Sequence, residues 1–315
     1  MDTPPRSPPL LRRLALLCTA LVLAITSLSA YIRLERAGLS CAGWPACYGE
    51  RLRETQQGLT ASAPEHGAAT VARFAHRVIA SAALLLVVTM LVVCWTAKPA
   101  RRAEGGVALA LLALALALAV LGRWSSDARI PAVAIGNLLG GFAMLALSWR
   151  LAREGGATLA TRTRVWAAFG ALLLAAQVAL GGLVSASFAA TSCGGFSECL
   201  AAAQGVPWSA LDPWREPVLT GAPPVNPSGA LVQVLHRIAA FAVLVVVAPL
   251  AIAAWRGGRR IAGALLLALL GCTLLIGLAI ATRGTTLALA LAHNLAAALL
   301  LATLFELTRK PRSAD

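Results

Sequence analysis

Leu231 to Phe241 reads LVQVLHRIAAF, placing an adjacent pair, His236 and Arg237, inside an apolar run of membrane-crossing length. An earlier run, Arg73 to Ala80 (RFAHRVIA), repeats the arrangement with His76 and Arg77. An ionisable side chain at bilayer depth costs several kcal/mol unless the bundle interior compensates it. Two matching pairs therefore point to a bound group held between helices.

Working outward, 315 residues with 59% hydrophobic side chains, 13% charged ones and a mean hydropathy of +0.77 exclude a water-soluble fold. Apolar runs of about 20 residues give eight spans, Leu14–Tyr31, Ala68–Trp95, Val107–Trp124, Ile130–Ala152, Val165–Ala189, Gly229–Trp255, Ile261–Ala281 and Thr285–Leu307. Lipid-exposed backbone must satisfy its own hydrogen bonds, so each span is a helix and the fold class is all-α membrane protein. The first span has an arginine-bearing lead, but its apolar stretch outlasts a typical signal core and reads as a membrane helix. With the N-terminus inside, the inner segments hold 16 Lys and Arg and the outer segments 8, which places both termini on the cytoplasmic side. The net charge of +14 is largely this inner belt facing anionic lipid, so nucleic acid is not the partner it points to.

Residues 1–13, with four prolines, form a cytoplasmic tail, and 309–315 form a second one. Between them lie an N-terminal half (14–152), a cytoplasmic linker (153–163) and a C-terminal half (164–308). Cys41 and Cys47 lie six apart in the first outer loop, RLERAGLSCAGWPACYGE, and Cys193 and Cys199 lie six apart in the long outer loop of the second half. The compartment allows a disulfide in each pair, or redox-active thiols. Cys18, Cys94 and Cys272 fall within spans and read as small apolar packing residues. His76 maps onto His236 at an offset of 160, and the cysteine pairs map at an offset of 152. The expectation is two parallel four-helix-bundle repeats, since each half has an even number of spans.

Of the four histidines, His66 lies at an outer loop end with no expected role. His76, His236 and His293 lie at one depth, about 11–12 Å from the outer ends of their helices at 1.5 Å per residue. His236 and His293 share one four-helix half, so two imidazoles can ligate a haem iron from opposite faces. Arg237 is directed about 100° around the helix from His236 and can reach either a haem propionate or a loop carbonyl. No Cys, Asp or Glu shares that depth, so a zinc or di-iron site lacks ligands. The glycines of LLGGF (138–142) and LGGL (180–183) read as close helix packing.

RLERAGLSCAGWPACYG, AHRVIA, LLGGF, LHRIAA and LAHNLA, in this order over eight spans, resemble the haem A synthase family of cytochrome oxidase assembly. The resemblance implies a haem b on His236 and His293. It also implies a site in the N-terminal half where haem O is bound and a ring methyl is oxidised twice, water leaving the gem-diol to give the formyl of haem A. His76 matches the first histidine of that site. Asn137 stands where the family has a second histidine, and Arg73 where it has a glutamate three residues before His76. An Asn binds haem iron poorly beside imidazole, and a guanidinium cannot accept a proton. The pocket then either holds a five-coordinate haem through His76, with Arg73 and Arg77 available to propionates, or has lost the oxidation.

The leading function is a haem A synthase-like oxidoreductase in a bacterial inner membrane. Its expected partners are haem O, haem O synthase and oxidase assembly factors, and a quinol or other electron donor. The alternatives are a non-catalytic haem-binding paralogue and a quinol-linked electron carrier.

Overall fold

The computed structural model describes residues 9–59, 67–125, 129–153 and 159–309. Among them are ten α-helices: α1 (Pro9–Arg36), α2 (Glu50–Gln56), α3 (Gly67–Thr96), α4 (Arg102–Ser125), α5 (Pro131–Ala152), α6 (Thr161–Ala186), α7 (Phe196–Ala202), α8 (Gly229–Arg256), α9 (Arg260–Arg283) and α10 (Leu287–Leu307). All but α2 and α7 are long and apolar enough to cross a membrane, which gives the eight spans. No β-strand occurs among the described residues; Thr220 and Val225 make one isolated bridge.

Local signals set the helix ends. Pro131 opens α5, where a missing N–H costs nothing. The Thr286 side chain caps α10 by accepting from the Leu289 amide. The span expected to run to Ala189 stops at Ala186, because Phe188 takes a left-handed backbone (φ 56°) and turns the chain out of the helix. A bulky residue there is strained and persists only where packing enforces it. The Phe188 ring stacks against Tyr48, with centroids 5.4 Å apart.

Packing closes the spans into two rings. In the first half α1 packs on α3, α3 on α4, α4 on α5 and α5 on α1; in the second, α6 packs on α8, α8 on α9, α9 on α10 and α10 on α6. Between the rings α5 packs on α10, flanked by α1 against α10 and α5 against α6. The apolar core runs through both rings, from Leu11, Met90, Leu111 and Phe142 to Val247, Leu266 and Leu304.

The long loop between α6 and α8 crosses to the first half. Arg53 of α2 donates to the Gly221 carbonyl (2.8 Å), Gln56 to that of Pro217 (2.8 Å), and the Ala132 amide to that of Pro213 (2.8 Å). Buried Asn226 fastens the loop to the end of α6 by donating to the Ser187 carbonyl (2.7 Å). Disulfides join Cys41 to Cys47 and Cys193 to Cys199, with Cα atoms 6.5 and 5.0 Å apart. Cys18 and Cys94 are buried as expected, but Cys272 is exposed. α9 is an outlying corner of its ring, and this thiol lies on its outward face.

Candidate functional site

A four-helix ring places its non-adjacent helices on diagonals, and functional side chains meet across them. In the second half one diagonal joins α8 to α10. His236 lies seven residues into α8 and His293 six into α10. Their ring centroids stand 6.5 Å apart at an interplanar angle of 67°. The expected common depth holds for this pair; His76, nine residues into α3, lies somewhat deeper.

Two glycines make room for these rings. A Cβ on Gly181 of α6 would stand 2.9 Å from His236 Cε1, and one on Gly277 of α9 would stand 3.3 Å from His293 Cε1. Each imidazole thus lies against a glycine, with the closer approach at His236. One turn inward of Gly181, the buried Gln177 amide donates to the His236 carbonyl (2.9 Å), fixing the height of α8 against α6. The Nδ1 atoms of His236 and His293 are buried without a hydrogen-bond partner. Buried polar atoms normally have one, so two adjacent imidazoles that each carry an unpartnered nitrogen mark a place where a further group binds.

A haem iron with two axial imidazoles fits this arrangement. Metal–nitrogen bonds of about 2 Å on each side, with a further ~1 Å from nitrogen to ring centre, put two such centroids at about 6 Å. The described residues contain no cluster of three or more His, Cys, Asp or Glu.

Arg237, beside His236, donates to the Gly194 carbonyl (3.1 Å), which is the second of its two expected roles. It pins the disulfide loop of Cys193 and Cys199 to α8. In the first half the corresponding diagonal joins α3 to α5, carrying half-buried His76 on one and half-buried Asn137 on the other. Arg73, one turn outward of His76, donates to Thr70 Oγ1 (3.1 Å), and Arg77 is exposed. His66 lies outside the described residues.

Sequence reasoning missed Gly181 and Gly277. Gly182 of the same LGGL run does pack on α5, against Ile135 and Leu138, and Gly140 and Gly141 of LLGGF lie against Leu118 and Thr26. Of the four glycines in these two runs, Gly181 is the one turned toward an imidazole, a distinction that the run itself does not carry.

Residues 12–305 match the family described as cytochrome oxidase assembly protein (COX15-CtaA). A heme A synthase of Shewanella oneidensis is 30% identical over 204 residues, covering 60% of this chain. The chain spans 60% of the length of that curated relative.

Proposed function

The chain belongs to the cytochrome oxidase assembly protein family, and from that premise we propose that it is a haem A synthase, oxidising a ring methyl of haem O to the formyl of haem A. The observation that supports this reading most is the pair His236 and His293, 6.5 Å apart and each against a glycine. A haem b held there supplies a one-electron centre. The protein's part is to hold two imidazoles at a fixed separation, with Gln177 setting the register of α8 and Arg237 closing the outer loop over it.

The substrate site of this reading is the α3–α5 diagonal. His76 is its single imidazole, and Asn137 leaves the opposite side without a comparable ligand. Arg73, one turn from His76, supplies a permanent cation suited to a propionate, not a proton acceptor. The methyl-to-formyl conversion is a four-electron oxidation: with dioxygen as the oxidant, each of two steps inserts one oxygen atom into a C–H bond while the other leaves as water on two electrons and two protons from the donor, and the gem-diol then loses water. Haem O from a haem O synthase and electron exchange with a quinol or similar carrier complete the scheme.

The same reading makes the two rings copies of one unit related by a pseudo-twofold axis along the membrane normal. Its support is that every packing pair among the eight spans has a counterpart, α1 on α10 matching α6 on α5, with α5 on α10 at the axis. Both termini lie on the cytoplasmic side of a bacterial inner membrane, following the basic belt.

Expression in a host that makes haem O, followed by pigment extraction, tests the proposal. Haem A is expected with the wild-type chain and is expected to rise when Arg73→Glu and Asn137→His are combined. Recovery of haem B and haem O alone from the wild-type chain overturns the catalytic reading.

A further inference from the structure

Arg33 ends α1 in the first half, yet its guanidinium reaches across and donates to Ser185 Oγ on α6 in the second. A guanidinium carries five N–H donors; among the described residues Ser185 takes one, and no carboxylate pairs with Arg33. Beside it, electrostatically coupled to it, is Tyr48. Tyr48 is 1% exposed and packed between Trp44 and Phe188, at 5.0 and 5.4 Å. Its hydroxyl faces the Ala190 backbone but is within hydrogen-bond geometry of no group. Burial raises the Tyr48 pKa, so the phenol stays protonated and remains a donor. A half-buried guanidinium with donors to spare beside a buried, orphaned hydroxyl is a site where one anion can accept from both.

The position of this cluster identifies the anion. On α6, Ser185 is one helical turn outward of Gly181, the residue that cradles His236. On α10, Ala290 and Leu291 pack against the Tyr48 cluster, and His293 follows about one turn inward. A turn rises about 5.4 Å, so the unspent donors stand just outside the level of both imidazoles, at the same end of the bundle.

We propose that Arg33, Tyr48 and Ser185 form a carboxylate site that takes the outward-facing propionate of the porphyrin held by His236 and His293. The inference rests on the haem reading above and adds to it. The N-terminal half lends two of the three donors to the C-terminal half's cofactor, so the haem b site is complete only when the halves are joined. A tie between halves made by Arg33 and Ser185 alone leaves the Tyr48 hydroxyl and the remaining guanidinium donors unaccounted for; a propionate accounts for both.

The test uses the purified full-length chain, stripped of haem and reloaded with iron protoporphyrin IX or with its dimethyl ester, whose propionates carry no charge. The readout is the rate of haem release to a haem-scavenging globin, together with the midpoint potential. The wild-type chain is expected to hold the diacid at least about tenfold longer than the diester. Arg33→Ala and Tyr48→Phe are each expected to erase most of that ratio, and Arg33→Lys to retain part of it. Arg33→Ala also lowers the potential, since loss of a nearby cation favours the ferric state. Tyr48→Phe deletes one oxygen from a packed ring and keeps the question answerable should Arg33→Ala unfold. Equal retention of diacid and diester by the wild-type chain, with a low-spin spectrum, overturns the carboxylate site and leaves the haem reading standing. A wild-type chain that binds neither overturns both.

Discussion

Replacing His236 or His293 by alanine removes one imidazole from a pair whose centres stand 6.5 Å apart, so the low-spin haem spectrum is expected to be lost in each single variant. Optical and paramagnetic spectra of the purified variants check this. Gly181→Ala is expected to act at one remove. Its Cβ would meet His236 Cε1 at 2.9 Å against 3.3 Å for Gly277→Ala at His293, so the first is expected to perturb axial geometry and haem retention more. Overpacking of this kind costs about 1–3 kcal/mol, and comparison of the two ferric spectra tests the order. The histidines were legible in sequence because an ionisable residue inside an apolar run needs a reason and because depth follows from counting residues. Gly181 was not, since its neighbour Gly182 has the same local context and packs on α5 instead. Arg237 was half legible: its reach followed from adjacency to His236, but its choice of the Gly194 carbonyl depended on where the disulfide loop lies.

The last turn of α10 and the loop held against α8 are fastened by different means. In that last turn Glu306, 3% exposed, accepts from Trp149 Nε1 of α5 (2.9 Å) and from Arg259, with Arg153 Nε at 3.6 Å. Glu306→Ala leaves two guanidinium groups and an indole N–H without their acceptor. A loss of about 3 kcal/mol is expected, read as a lowered melting temperature in detergent, with Glu306→Gln recovering the Trp149 bond only. At the outer side, opening the Cys193–Cys199 link by Cys199→Ser frees the loop that Arg237 holds, and chain entropy alone sets that cost at about 2 kcal/mol. Haem content is expected to fall with it. Spans were readable to within a few residues because length and apolarity are additive properties of sequence. The early end of α6 was not, because Phe188 turns out of the helix to meet Tyr48, a residue 140 positions earlier in the chain. Cys272 was misread for a related reason, since membership in a span does not say which face of a corner helix meets the bundle.

Both rings present their imidazoles near the outer end, while the basic residues cluster at the other. The proposed orientation puts the C-terminus on the cytoplasmic side, so a fluorescent protein fused after Asp315 is expected to light up while an alkaline phosphatase fused there stays inactive. The number of spans came from hydropathy; which helices share a diagonal did not, because pairing between rings depends on α5 and α10 finding one another. The exposed thiol of Cys272 adds a practical handle. With Cys18 and Cys94 sealed in the core and the other four cysteines oxidised, an apolar nitroxide reagent should mark this one sulfur in the unaltered chain. Its relaxation by dissolved oxygen would then gauge immersion depth, and its broadening by a ferric centre would range the distance to the metal, without a single engineered residue.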